Sequence, residues 1–534
     1  MKNNFFKYIF VFVVIALIGY AIFYFYNSQN KDSEQKDAKN EEVSTTIFED
    51  IRIAIVNFDT INPILSNNQD VQEVGRLIYE PLLKVEKDYS LSLCLAKEWA
   101  KVDSTTYIIK LKQGIKWHNG MNFNANDVKF TIDQIKSGRF NSVYLDNVSV
   151  INNIDVVDDY TIRIGLENEV SFYEYNLTFP IMCSEYYSGE DFAISSKNNT
   201  PVGTGKYKLS SVEDSVITLK KNTSWWNIEN DNSRIKEITV KKYNSMGEAY
   251  NAFKLGNIDL LTTKVLNIDE YIGTAGYKTQ GVIGRNNDFI VFNCNHPVLS
   301  DSAVRNAISY SIDKYSIISD IYGNKYFKSD FPLDYGSFLY NVEKSDSGFN
   351  KEKSKELLQN AGWNFANGTW SKNINGRYYT TKFNIVVRKN DTSRISVAHN
   401  IKNQLADIGI ILNVIEVNDA QYSNYLNNKN ADMIITGIIR GYSPNLAIFL
   451  GDGNLANFDN EEVNDIMQYV VNVSDVKKLR EKYERLIEIY ETEQPYISLY
   501  YNTNTIIYTP NLMGTIEANT YSFFYNISNW YREY

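Results

Sequence analysis

From Ile51 onward the chain switches repeatedly between two periodicities, and this switching constrains its fold more than any single motif. Ile51–Phe58, Tyr107–Lys112, Thr161–Leu166, Lys382–Arg388 and Ile411–Glu416 alternate apolar and polar residues at a spacing of two, as half-buried strands do. Val71–Tyr79, Ala125–Ile135, Ala249–Leu255, Thr392–Ile408 and Val476–Tyr490 repeat at helical spacing instead, with Leu479, Tyr483, Leu486 and Tyr490 on one stripe. Pro81 closes the first of these helices, and Gly256 ends the third in the manner of a C-cap. Pro495–Tyr501 reads as the strand after the long helix. Strands and helices in alternation imply an α/β fold with mixed sheets. At 534 residues the chain exceeds what one core fills, so two or three lobes are expected.

Composition narrows the function classes. A hydrophobic content of 43% is ample for large cores, and a net charge of −10 disfavours nucleic acid, which selects basic patches. Forty tyrosines against three histidines suit amphipathic contacts, although a compositional bias of the genome would produce the same count. Tyr8–Tyr26 is an uncharged apolar run of 19 residues, roughly 28 Å as a helix and about a bilayer core thick. Lys2 and Lys7 precede it, which places that end in the cytosol and the rest outside. The run reads as a single-pass membrane anchor over 5–26. A cleaved signal peptide is the competing reading, disfavoured by the bulky residues Phe23–Tyr26. The polar stretch 27–46 cannot bury apolar area and is expected to be a disordered tether. Cys94, Cys183 and Cys294 are far apart, so three buried free thiols are expected over a single disulfide.

No catalytic constellation emerges, and no enzyme is expected. Gly203-Thr204-Gly205-Lys206 looks like a fragment of a P-loop, but Thr200 stands where the first glycine belongs and Tyr207 where a magnesium-holding hydroxyl belongs. There is no G-x-S-x-G elbow and no C-x-x-C pair. His118, His296 and His399 are isolated, so no metal site or cofactor is expected. The acidic pairs Asp158-Asp159 and Glu461-Glu462 sit in polar contexts that solvation explains.

Phe292–Lys314 reads as a strand end, a turn through Asn295-His296-Pro297 and a helix opening at Ser300. Ser300 is expected to cap, Asp301 to pair with Arg305, and Ala303, Ala307 and Ser311 to form a close-approach face. The segment resembles the "N…P.L.D.RVR.A" stretch of the family 5 extracellular solute-binding proteins, the peptide and nickel receptors of ABC importers. Lys116–Gly120 with Phe123–Val128 resembles that family's "WHDGTPLTADDV" block, and Pro201–Tyr207 its "VGTGPY" turn. Gly256–Asp259, Glu356–Leu358 with Ala361–Trp363, and Gln404–Ile410 match three further blocks in the same order.

The resemblance implies a two-lobed periplasmic-binding-protein-like fold with an additional domain and a ligand cleft between the lobes. Mapped onto this chain, lobe I takes 47–72, 191–288 and 495–534, the additional domain 73–190, and lobe II 289–494. The crossings between lobes fall near Asp288–Asn293 and Pro495–Tyr500, with Phe292, Asn293, Pro495 and Leu499 as hinge residues. The implied function is the monomeric binding component of an ABC importer, capturing oligopeptides for a permease and its ATPase. A ligand sensor of the same fold, or a binder of nickel or another small solute, is the alternative. Peptide-binding relatives carry "D-x-x-x-x-G-W-x-x-D-Y-x-x-P", whose second Asp meets the peptide ammonium. Here Asp432–Pro444 fits at Asp432, Gly437, Tyr442 and Pro444 with one residue deleted. Ile438 replaces the Trp and Gly441 the Asp, with Arg440 beside it, and shifting the register by one supplies no carboxylate either. Ile438, Arg440, Gly441, Tyr442 and Asn293 are the candidate ligand contacts. Arg440 favours an anionic group if it lines the cleft, and is otherwise a solvated loop residue or the partner of a nearby acid.

Overall fold

Ile51, Ile53 and Ile55 alternate along the strand Asp50–Val56, and the period of two sends all three into one core while Ala54 packs against another. The computed structural model that shows this describes residues 46–533 apart from 334–335, 341–347, 472 and 474. Glu49–Arg532 form one compact unit, described below; the two-residue strand Ile47–Phe48 falls outside it. The expected anchor over 5–26 and nearly all of the tether over 27–46 lie outside the described residues. Among the described residues no helix is long and apolar enough to cross a membrane.

One mixed sheet runs through the molecule. Its order is Ile411–Val417, Lys382–Arg388, Met433–Ile439, Lys278–Phe292, Tyr496–Tyr508, Leu260–Thr263, Asp50–Val56, Glu237–Tyr243, Val216–Lys221 and Tyr207–Val212. Pairing is parallel from Ile411–Val417 through Met433–Ile439 and around Asp50–Val56, and antiparallel elsewhere along the order. Lys278–Phe292 and Tyr496–Tyr508, of 15 and 13 residues, belong to both halves of the sheet. Lys278–Ile283 pairs with Thr503–Tyr508 beside Leu260–Thr263, whereas Asn287–Val291 pairs with Tyr496–Tyr501 beside Met433–Ile439. The two-lobed α/β architecture is therefore present, and two continuous strands join the lobes.

The cores follow that division. One spans Ile51 through Val240 and returns with Phe523, Phe524 and Trp530, so the first lobe and the 73–190 region share a single interior. The second lobe has a core on each sheet face, one holding Phe289, Tyr483 and Tyr496 and the other Ile290, Phe383 and Ile401. Within 73–190, four antiparallel strands in the order Ala96–Lys101, Thr106–Leu111, Thr161–Leu166, Ile151–Asp158 form a separate sheet.

The Phe292–Lys314 segment departs from expectation in two details. The helix is Ser302–Tyr310 and its N-cap is Asp301, whose carboxylate takes the Ala303 N–H at 3.0 Å; Ser300 precedes the cap. Arg305 does not pair with Asp301. It turns into the protein, 2% exposed, and donates to the carbonyls of Leu299, Ser300 and Glu493, because the helix start must be tied to the end of Val476–Glu493. The close-approach face is real: Ser354 of the helix Lys351–Asn360 donates to the Ala307 carbonyl at 2.6 Å. Cys94 and Cys183 are buried free thiols, and Cys294 is free but only half-buried.

Candidate functional site

Two motif blocks, 85 residues apart, clasp one another beneath the first lobe. The Gly203 N–H donates to His118 Nδ1 at 3.2 Å, so Nε2 carries the proton and donates to the Gly205 carbonyl at 2.9 Å. Burial pushes His118 down to about 4, and the ring is neutral at neutral pH. Gly203 and Gly205 lie against the C-terminal end of the helix Gln69–Ile78: a Cβ at 203 would stand 1.8 Å from the Ile78 carbonyl oxygen, and at 205 2.6 Å from it. Next to the clasp, buried Asp127 accepts from Trp117 Nε1 at 3.1 Å, the Ser184 amide at 2.8 Å and the Asn124 amide at 3.0 Å, closing a capping box on the helix Ala125–Lys136.

The fixed helix Gln69–Ile78 carries Glu73 and Arg76 to the junction between the lobes. Arg76 Nη1 is 3.0 Å from Glu73 and its guanidinium lies 4.7 Å from the centre of the Tyr521 ring. Burial pushes Glu73 up to about 7, against the pull of Arg76 and of the Phe523 amide. From the second lobe, Tyr442 meets Tyr521 edge-on at 5.1 Å and donates to the Thr520 carbonyl at 3.1 Å. Arg285, on the crossing strand, stacks over Tyr442 at 4.8 Å and donates to the carbonyls of Arg440 and Gly441. The Tyr89 hydroxyl is 3.1 Å from that of Thr520. The junction is thus a lattice of tyrosine rings and guanidinium groups drawn from both lobes.

The expected contact loop lies at this junction in part. Arg440 and Tyr442 are there, and a Cβ added to Gly441 would find no atom within 4 Å, so the position opposite Arg285 opens into free space. Arg440 is 6% exposed. Its Nη1 is 3.5 Å from the Tyr501 hydroxyl, its guanidinium is 6.0 Å from the Phe449 ring, and no described carboxylate lies within ion-pair distance. Ile438 pairs with Asn287 and packs partly into the second lobe's core rather than against the junction. Asn293 is not brought to the loop: it bonds to the Asp432 carbonyl at the opposite end of Met433–Ile439, roughly 20 Å away along the strand.

The hinge candidates lie at or near one of two slips in the pairing of the crossing strands. Phe292, Pro495 and Leu499 are buried at the second lobe's end of the crossing strands, and Asn293 lies just beyond. The pairing slips twice: between Asp288 and Phe289, where the partner passes from Tyr500 to Ser498 and skips Leu499, and earlier between Ile283 and Asn287 opposite Tyr501–Thr503, where Asn502 Oδ1 accepts the Asn286 N–H at 2.9 Å. A Cβ on Gly284 would collide with that Asn502 side chain at 2.1 Å. Alternation in one strand does not reveal where its partner slips, and this is why the earlier slip was not legible in the sequence.

Sequence reasoning missed Glu73, Arg76, Arg285, Tyr89 and Tyr521, which lie outside the motif blocks. It also missed the Asp288–Arg394 pair, bidentate at 2.9 and 2.7 Å, which passes over Gly437. Gly437 itself was a signal, because a Cβ there would meet Asp288 at 2.2 Å.

Comparison with known proteins fits this geometry. The chain is 21% identical to the oligopeptide-binding protein AppA of Bacillus subtilis over 88% of its own length and 89% of AppA's. The solved structure of the periplasmic murein tripeptide binding protein MppA in its unliganded open form superposes with a TM-score of 0.77 at 16% identity, covering 92% of this chain and 99% of that one. HbpA2 from Haemophilus parasuis gives 0.73 at 19% identity, over 89% and 99%. The model of the bacterial extracellular solute-binding proteins, family 5, matches residues 90–459. Two lobes on two crossing strands, a junction lined from both sides and this match together place the chain among the family 5 bacterial extracellular solute-binding proteins.

Proposed function

We propose that this protein captures oligopeptides, or solutes of that class, between its lobes and hands them to the permease of an ABC importer. The observation that carries the reading is the pair of continuous strands that joins the lobes and slips register at Ile283–Asn287, directly beneath the Tyr442–Tyr521 junction. Two strands whose pairing slips twice within a few residues can absorb a rotation there, as hinge closure requires. The names of AppA and MppA favour peptides as the ligand class. Arg440, Gly441 and Tyr442 are the proposed contact loop, and Gly284–Asn286 with Asn502 the proposed hinge. Tyr8–Tyr26 would hold the protein at the outer face of the membrane as a single-pass anchor, with 27–46 as its spacer.

Native mass spectrometry of the full chain should find peptides among its co-purified ligands. Solution scattering with a saturating mixture of tri- to pentapeptides should show a smaller radius of gyration than without. An unchanged radius and no retained ligand would mark a rigid scaffold and end the transport reading. Terminal sequencing that finds a new N-terminus between Gly19 and Asn30 would end the anchor.

A further inference from the structure

Among the described residues, the buried charges around the junction do not balance. Of the described carboxylates, Glu73 has Arg76, Asp288 has Arg394, and Asp330 has both Lys314 at 2.8 Å and Lys328 at 2.6 Å, while Glu80 is held by Thr204 and the indoles of Trp225 and Trp226. Arg440 has no carboxylate among the described residues, although it is more than nine-tenths buried. Its side-chain neighbour Tyr501 also lines a cavity of about 390 Å³, with Tyr315, Tyr326, Lys328, Phe331 and Tyr340 around it. Among the described residues, Lys314 and Lys328 share the carboxylate of Asp330, and Arg440, beside Tyr501, has no carboxylate partner. A desolvated guanidinium without a counter-ion is unfavourable unless something brings the missing charge. The cavity falls within the size range of small-ligand pockets and its tyrosine rings suit an organic body.

We infer that the ligand group received at the 440–442 loop is a carboxylate, held by Arg440 with the Tyr501 hydroxyl, so that this protein selects acid-bearing solutes over amine-bearing ones at that end. The inference rests on the reading of the chain as a binding protein for peptide-class solutes. Gly441 completes it: a Cβ there would meet no atom within 4 Å, so the position has room for an acid, yet it supplies no carboxylate to attract an ammonium.

Calorimetry on the full chain tests this with three forms of the tripeptide Ala-Tyr-Ala: acetylated with a free carboxylate, free amine with an amidated end, and capped at both ends. The acetylated acid should bind at least about ten-fold tighter than the amine form. Arg440→Gln should remove that preference and leave the doubly capped peptide nearly unchanged, while Arg440→Lys keeps most of it and Gly441→Asp inverts it. Equal or tighter binding of the amine form to the unaltered chain overturns the inference without any variant being needed. If no peptide binds, glutarate decides: stabilisation against heat that Arg440→Gln abolishes keeps the carboxylate site and removes the peptide reading. Absence of any Arg440-dependent stabilisation removes the carboxylate site.

Discussion

His118 and Arg440 are both basic, both removed from bulk water and both set in stretches that resemble family motifs, yet their surroundings treat charge in opposite ways. At His118 every polar atom is matched: one ring nitrogen takes an amide N–H, the other gives its proton to a carbonyl, and burial keeps the ring neutral. At Arg440 the charge cannot be shed, and one hydroxyl at 3.5 Å is its side-chain hydrogen bond. A matched site holds two segments together, whereas an unmatched one keeps a place for something else. That contrast separates the clasp around Gly203–Gly205, which builds the fold, from the loop at Arg440–Tyr442, which we read as meeting the ligand.

The largest expected effect lies in the clasp. Gly203→Ala drives a methyl into the Ile78 carbonyl, which cannot retreat without giving up its 2.9 Å bond from the Gly205 N–H. A loss of at least ~3 kcal/mol is expected, read as a lowered thermal midpoint or as insoluble protein. Near-normal stability would show that the clasp is loose and that the contrast with Arg440 fails. Asp127→Ala comes next, since it leaves the Trp117 indole and the Ser184 amide without their acceptor in a buried place; about 3 kcal/mol is expected by chemical denaturation.

Acidity offers a sharper probe, because Glu73 and His118 pull in opposite directions. Glu73 titrates near 7 in the folded chain against about 4.5 when unfolded, so the native state holds the extra proton between those values. Its contribution to stability therefore falls as pH rises from about 4.5 to 7, by up to about 3 kcal/mol. His118 titrates near 4 when folded against about 6.5 when unfolded, so its contribution rises with pH over roughly 4 to 6.5. The two slopes offset one another in the intact protein. Glu73→Gln should uncover the rising limb of His118, giving stability that climbs between pH 4.5 and 6.5. An unaltered profile in Glu73→Gln would mean that the Glu73–Arg76 pair stays ionised throughout.

What was legible in the sequence follows the same divide. Strand and helix identities could be read because alternation and helical stripes are local: Thr161–Leu166 and Lys382–Arg388 have the bounds the pattern gives. The clasp was visible as two family blocks, although nothing local says that they meet. Arg440 and Tyr442 stood out because a recognisable pattern is broken there. Glu73, Arg76, Arg285 and Tyr521 were not legible, since their proximity arises from three distant segments folding onto one junction. Arg305 misled for a related reason: its four-residue spacing from Asp301 is a good surface rule, but tertiary packing drew the guanidinium inward to the Glu493 carbonyl.

The smallest expected effect is the most discriminating. If Arg440 holds its charge for a ligand, the empty protein bears an unfavourable buried cation, and Arg440→Met should relieve it. The flexible thioether fills much of the same volume against Phe449 and leaves the backbone bonds to Arg285 in place. Unliganded stability should then stay level or rise by about 1 kcal/mol, measured by urea denaturation, because replacing a poorly compensated buried charge by an apolar group is often favourable. The same variant should lose the preference for acid-bearing peptides. A stability loss of more than about 2 kcal/mol would instead show that the guanidinium anchors the loop through Tyr501, as a satisfied structural group does. In that event Arg440 belongs with His118, and the contrast between the two sites collapses.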